Sequence, residues 1–201
     1  MYAKTEKILW RAFESSKMLF GADNRSTWAR LCDVACIYLR QDRLKEAEDL
    51  YIQRHNATLT TKYHLAVTYN RLGRVNDANE LLMPVLQVEK EIYGEEHPDT
   101  LRSMKLLSDI LVKQGRLQEA EELVVHVLTN ERRILGEDHP NTLYSMSHFA
   151  FICIDQGRYG EAISHMEICV QLRKEALGEN HPGTNNSIQW LEKWKNEHVI
   201  Q

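Results

Sequence analysis

The chain has 201 residues, 43% hydrophobic and 27% charged, the proportions of an ordinary water-soluble fold long enough to bury a core. Its 25 Lys and Arg against 29 Asp and Glu give a formal net charge of −4, so no global basic field favours nucleic acid as a partner. No stretch approaches the ~18 consecutive apolar residues that suggest a membrane span, and Met1-Tyr2-Ala3-Lys4-Thr5-Glu6-Lys7 opens no signal-type apolar run; the chain reads as cytoplasmic, with no membrane partner.

Residues 4–20 place Ile8, Leu9, Ala12, Phe13, Leu19 and Phe20 at helical spacing, and Gly21 ends the run. This reads as the second helix of a hairpin without its first, so the chain is expected to begin in mid-repeat, as a fragment of a longer protein or an atypical cap. Gly21 and Thr27, six apart, keep the outline of a corner that is fuller further on. A helix over 26–41 then meets the turn Gln41-Asp42-Arg43-Leu44-Lys45-Glu46-Ala47 and a partner over 44–54. The next pair, 58–72 and 75–92, flanks Leu72-Gly73-Arg74-Val75-Asn76-Asp77-Ala78, and Pro84 is expected to bend its second helix. Pairs at 98–114 with 117–135 and 140–156 with 159–177 flank Gln114-Gly115-Arg116 and Gln156-Gly157-Arg158. A closing helix over 183–197 turns Ile188, Leu191 and Trp194 inward and Lys193, Lys195, Asn196 and Glu197 outward, the polar face that a terminal repeat needs.

Two signals recur in phase. Gly94-Glu95-Glu96-His97-Pro98-Asp99-Thr100, Gly136-Glu137-Asp138-His139-Pro140-Asn141-Thr142 and Gly178-Glu179-Asn180-His181-Pro182-Gly183-Thr184 stand 42 residues apart, as do Gly73, Gly115 and Gly157. A period in this range signals a stacked array. Glycine stops one helix, proline fits the first turn of the next, and Glu137 and Asp138 are expected to cap its free N–H groups. The first repeat is irregular: Ala47 to Thr58 is 11 residues, where Ala78 to Thr100 is 22. A kink between repeats and a defect in the gene model both fit that gap.

The steps Ala35-Tyr38-Ala47, Ala66-Tyr69-Ala78, Ser108-Leu111-Ala120 and Ala150-Cys153-Ala162 resemble the tetratricopeptide repeat. The 42-residue period and the corner motif are more specifically similar to the kinesin light chain type, and to the repeat tails of fungal nucleotide-sensing immune-type proteins. The resemblance implies an all-α, right-handed solenoid of tetratricopeptide helical hairpins, expected as a single array over 1–201. Its parts are a partial B helix at 4–20, repeats near 24–54, 55–97, 98–139 and 140–181, and a C-terminal capping helix at 183–197. It also implies a concave groove lined by Tyr63, Asn70, Arg71, Arg102, Lys105, Asp109, Lys113, Tyr144, Ser147 and Phe151. Aromatic rings, an amide and clustered Arg and Lys suit an extended peptide or partner domain of acidic character. The paired asparagines usual in kinesin light chain relatives are replaced here by Tyr63-His64, Lys105-Leu106 and Ser147-His148, so a motor role is not implied.

Other chemistry has little support in the sequence. His97, His139 and His181 lie on separate corners, which suits capping or packing rather than a shared metal. Cys32 and Cys36 share a helix face without two further ligands, while Cys153 and Cys169 read as small core thiols. There is no phosphate loop, nucleophile elbow or His-Glu-x-x-His. The expected function is a non-catalytic protein-interaction scaffold with no cofactor. The alternative is a C-terminal sensor or oligomerisation repeat fragment of a larger signalling ATPase.

Overall fold

The computed structural model of the chain describes residues 2–21, 24–52 and 59–198. Every regular element among them is an α-helix: α1 (Tyr2–Phe20), α2 (Arg25–Arg40), α3 (Leu44–Ile52), α4 (Leu59–Arg71), α5 (Val75–Tyr93), α6 (Pro98–Lys113), α7 (Leu117–Leu135), α8 (Pro140–Asp155), α9 (Tyr159–Leu177) and α10 (Pro182–His198). The boundaries expected from the sequence fall within two residues of these. Thr58, the tail of the first B helix beyond Ile52, and Ala22 and Asp23 of the first corner lie outside the described residues. The chain forms two compact units, residues 1–91 and 92–201. In the first, α1 packs on α2, α2 on α3 and α3 on α4; in the second, α6 through α10 each pack on the next helix in sequence.

The turns inside the hairpins follow from local chemistry. At Gly115, φ is +76°, its N–H donates to Val112 O at 2.9 Å, and Arg116 N–H donates to Leu111 O at 2.9 Å. These two bonds satisfy carbonyls orphaned at the end of α6. The same bonds recur at Asp42, where Asp42 N–H reaches Leu39 O and Arg43 N–H reaches Tyr38 O, although φ there is +62° on a residue with a side chain. Small residues let the helices of a hairpin approach. Ala35, Ala47, Ala66, Ala78, Ala120, Ala150 and Ala162 are fully buried, and Ser108, at the alanine position of its hairpin, donates its hydroxyl to Ala120 O at 3.0 Å.

The corners carry one correction. Gly136, with φ +96°, ends α7 and Pro140 opens α8 as expected, but neither Glu137 nor Asp138 caps the new helix. His139 does so itself: its Nδ1 accepts from Asn141 N–H at 3.2 Å. His97 takes Asp99 N–H at 3.2 Å and His181 takes Gly183 N–H at 3.1 Å in the same way. The reason is covalent geometry, since Nδ1 of histidine lies as many bonds from Cα as the capping oxygen of Asp or Asn.

Successive hairpins are also linked by arginines of the inner turns. Arg43 donates to Glu6 on α1 at 3.0 Å, Arg74 to Glu48 on α3, and Arg158 to Glu121 on α7 at 2.6 Å. Arg43 and Arg74 also lie over the rings of Tyr38 and Tyr69 at 3.9 and 4.1 Å. Each pair is partly exposed and screened by solvent, so together they fix register more than they stabilise.

Candidate functional site

Side-chain contacts set α8 between α6 and α10 in residues 92–201, and most of the residues expected to line a groove meet there. Lys105 on α6 donates to Glu131 on α7 at 2.8 Å, with side chains 13% and 3% exposed, and Ser145 on α8 donates to the other carboxylate oxygen at 2.6 Å. Asp109 on α6 meets His148 Nε2 on α8 at 3.0 Å. Tyr144 is half exposed, with Lys105 Nζ 5.6 Å from its ring centre. Phe151 sits edge-on to Trp190 and Trp194 of α10 at 5.2 and 5.0 Å, which holds Trp194 in the core as expected and covers part of Trp190. Ser147 is buried and donates to Tyr144 O at 2.8 Å. Arg102 pairs with Asp99 one turn earlier at 2.9 Å, and Lys113 is exposed at the end of α6.

Three expected groove residues belong to the first unit and form a separate set. Tyr63 is half buried and edge-on to His64. Asn70 is only 6% exposed, so it presents little to a ligand. Arg71 binds Leu39 O and, at 2.8 Å, Asp42, tying α4 to the turn after α2. Of the cationic cluster anticipated from Arg102, Lys105 and Lys113, Arg102 and Lys105 are therefore paired from within, and Lys113 is exposed.

Two clefts flank α8. One, of about 210 Å³, is lined by Pro98, Leu101, Arg102, Lys105, Glu131, Ile134, Leu135 and three further polar residues, Glu96, Asp99 and Asn141. The other, of about 390 Å³, is lined by Pro140, Leu143, Tyr144, Ser147, Phe151, Arg173, Leu177 and the rim residues His148, His181, Gly183 and Asn186. They are the same place one repeat apart: Pro98 corresponds to Pro140, Leu101 to Leu143, Lys105 to Ser147, Glu131 to Arg173 and Leu135 to Leu177, all at the 42-residue step.

Arg173 is the main residue that the sequence reading missed. One guanidinium nitrogen donates to Gly183 O and Ser187 Oγ on the α10 side at 2.8 and 2.6 Å; the other donates to Leu143 O and Ser147 Oγ on α8, both at 3.2 Å. All four acceptors are neutral. A signal was present, because Glu89, Glu131 and Arg173 each stand four residues after a buried stripe position, Val85, Val127 and Cys169. A charge at a core-facing station implies a buried partner.

Nothing among the described residues gathers three or more His, Cys, Asp or Glu about one point in a way that could hold a metal ion. None of the four cysteines is in a disulfide, and burial pushes Cys153 up to about 11 and Cys169 upward as well. No described helix is long and apolar enough to cross a membrane.

A family model described as "Tetratricopeptide repeat" matches residues 57–130 and 109–167, together more than half of the chain. No curated protein matches. A crystal structure of Podosopora anserina putative kinesin light chain nearly identical TPR-like repeats is similar at 25% identity and a TM-score of 0.72, covering 89% of this chain and 90% of that one. A singly substituted form of the same Podosopora anserina repeats is similar at 24% identity and 0.66, covering 87% of each. BtubC (BKLC) from P. vanneervenii is similar in fold at 17% identity and 0.78, covering 98% of this chain and 84% of its own.

Proposed function

Because the chain belongs to the tetratricopeptide repeat family, an all-α solenoid fold that is generally a non-catalytic protein–protein interaction scaffold, we propose that it binds an extended peptide or a partner's extended segment in the groove along α6, α8 and α10. The observation that carries this reading is the recurrence of one cleft on both flanks of α8, with the half-exposed ring of Tyr144 lining one and lying 5.6 Å from Lys105 Nζ of the other. An extended chain running across α8 meets the two clefts in succession, with Arg102, Lys105, Asp109 and Lys113 on one side and Tyr144, Ser147 and Phe151 on the other. In the first unit the corresponding positions are Tyr63, Asn70 and Arg71, of which Tyr63 offers a ring, while Asn70 is buried and Arg71 is bound to Leu39 O and Asp42.

The mechanism is pre-organisation. Lys105, Asp109, Ser147 and Phe151 are already held by Glu131, His148, Arg173 and the α10 tryptophans, so ordering entropy is lost mainly by the ligand and modest contacts suffice. The mechanism requires no cofactor. Panning a random-peptide library against the protein and against Tyr144→Glu tests the proposal. Enrichment on the wild type that is lost on the variant supports it; equal enrichment on both, or none on either, refutes it.

A further inference from the structure

The two clefts flanking α8 share a backbone plan but not a charge. In the α6–α8 cleft the buried Glu131 is neutralised by Lys105 and bonded by Ser145. One repeat later Lys105 gives way to Ser147, Glu131 to Arg173, and Ser145 to another serine, Ser187. The cation that results is bonded to neutral oxygens, and no carboxylate is among the described residues that line its cleft. A guanidinium stays charged at any working pH. Beside the apolar walls of Leu143, Phe151 and Leu177, the attraction of that charge for an anion is screened less than it would be in water.

Resting on the scaffold reading above, we propose that residues 131 and 173 set the order in which the groove reads an extended peptide. The cleft at Arg173 takes a carboxylate side chain, while the cleft at Lys105 and Glu131 takes an uncharged apolar side chain against Ile134 and Leu135. Arg173 is then the specificity-determining residue. Lys105, although basic, does not recruit acid, because its charge is already spent on Glu131. The ligand class is an acidic residue preceded or followed, at the distance between the clefts, by an apolar one.

The test transplants the neutral pair. Ser147→Lys with Arg173→Glu installs in the second cleft the arrangement that the first already accommodates, including the serine hydroxyl at 187 that the carboxylate needs, so the fold is retained. A peptide enriched on wild type from a displayed random library is remade with Glu replaced by Gln. Wild type is expected to bind the Glu form about tenfold more tightly, the scale of one charge-assisted hydrogen bond, and the transplant is expected to bind both forms alike. Asn186→Asp, which places a carboxylate at the rim and leaves every Arg173 bond in place, serves as the second variant and is expected to erase the same preference. A wild type indifferent to Glu against Gln, or variants that keep the preference, overturns the role of Arg173 while leaving the scaffold reading intact. No enriched peptide at all removes both.

Discussion

Lys105 Nζ and Glu131 Oε1 meet at 2.8 Å, with the carboxylate side chain 3% exposed, so a cation placed by its register on a binding face is instead half of an internal ion pair. Removing one partner strands the other in a poorly solvated place, which typically costs about 3–5 kcal/mol. Lys105→Met and Glu131→Gln, measured singly by urea unfolding, are each expected to destabilise the second unit on this scale, less for Glu131→Gln, which strands the 13% exposed Lys105 rather than the 3% exposed Glu131. The double variant is expected to be clearly more stable than the sum of the two losses would leave it, since a glutamine still accepts from Ser145 and no charge is left alone. Strict additivity would show that the pair is not coupled.

His139 caps α8 through Nδ1. His139→Ala is expected to cost about 1 kcal/mol, the usual loss for a helix N-cap, whereas His139→Asp or Asn restores an acceptor at the same distance from the backbone. Thermal unfolding of the three variants decides this. If alanine and aspartate melt together, the ring serves packing rather than capping.

His165 gives the fold a dependence on pH. Burial is the largest influence on its ring, edge-on to Phe149 at 4.8 Å, and with Arg132 and Arg158 it outweighs Glu161 to hold the pKa below the ordinary 6.5. Below pH 6.5 the unfolded chain takes up a proton that the folded chain resists. Stability therefore falls as pH drops from 6.5 toward the lowered folded value, and the loss is complete below it. His165→Leu, which repeats the residue found at 123, is expected to flatten that part of a stability–pH curve. An unchanged slope would assign the proton uptake elsewhere.

Thiol reactivity should divide the four cysteines. Cys153 and Cys169 are buried, and burial raises both thiols, Cys153 to about 11, so few thiolates are present at neutral pH. Cys32 and Cys36 are partly exposed on α2. Alkylation under native conditions followed by peptide mapping is expected to label the α2 pair first, and Cys153 and Cys169 only after denaturation. Early labelling at Cys169 would mean that α8 and α9 open locally.

Much of the fold is legible along the chain. Glycines at 73, 115, 136 and 157, prolines at 98, 140 and 182 and the alanine pairs act through bonds that span six residues or fewer, or through an absent Cβ, so their effect is written where they stand. The histidine caps are equally local; expecting Glu137 or Asp138 in that role weighed charge over covalent reach. The candidate site was less legible. Tyr144 and Phe151 are expected on the groove face because the family resemblance implies it, whereas Arg173, on the companion helix, has no place in that pattern.

The sequence by itself determined the helices, their turns and the 42-residue repetition, because each is settled by near neighbours and by a pattern that only stacked hairpins can bury. Only the tertiary structure decided which charges remain available. Lys105 and Glu131 are 26 residues apart, as are Ser147 and Arg173, and a formal charge in a chain becomes a binding charge only after packing has chosen its partner.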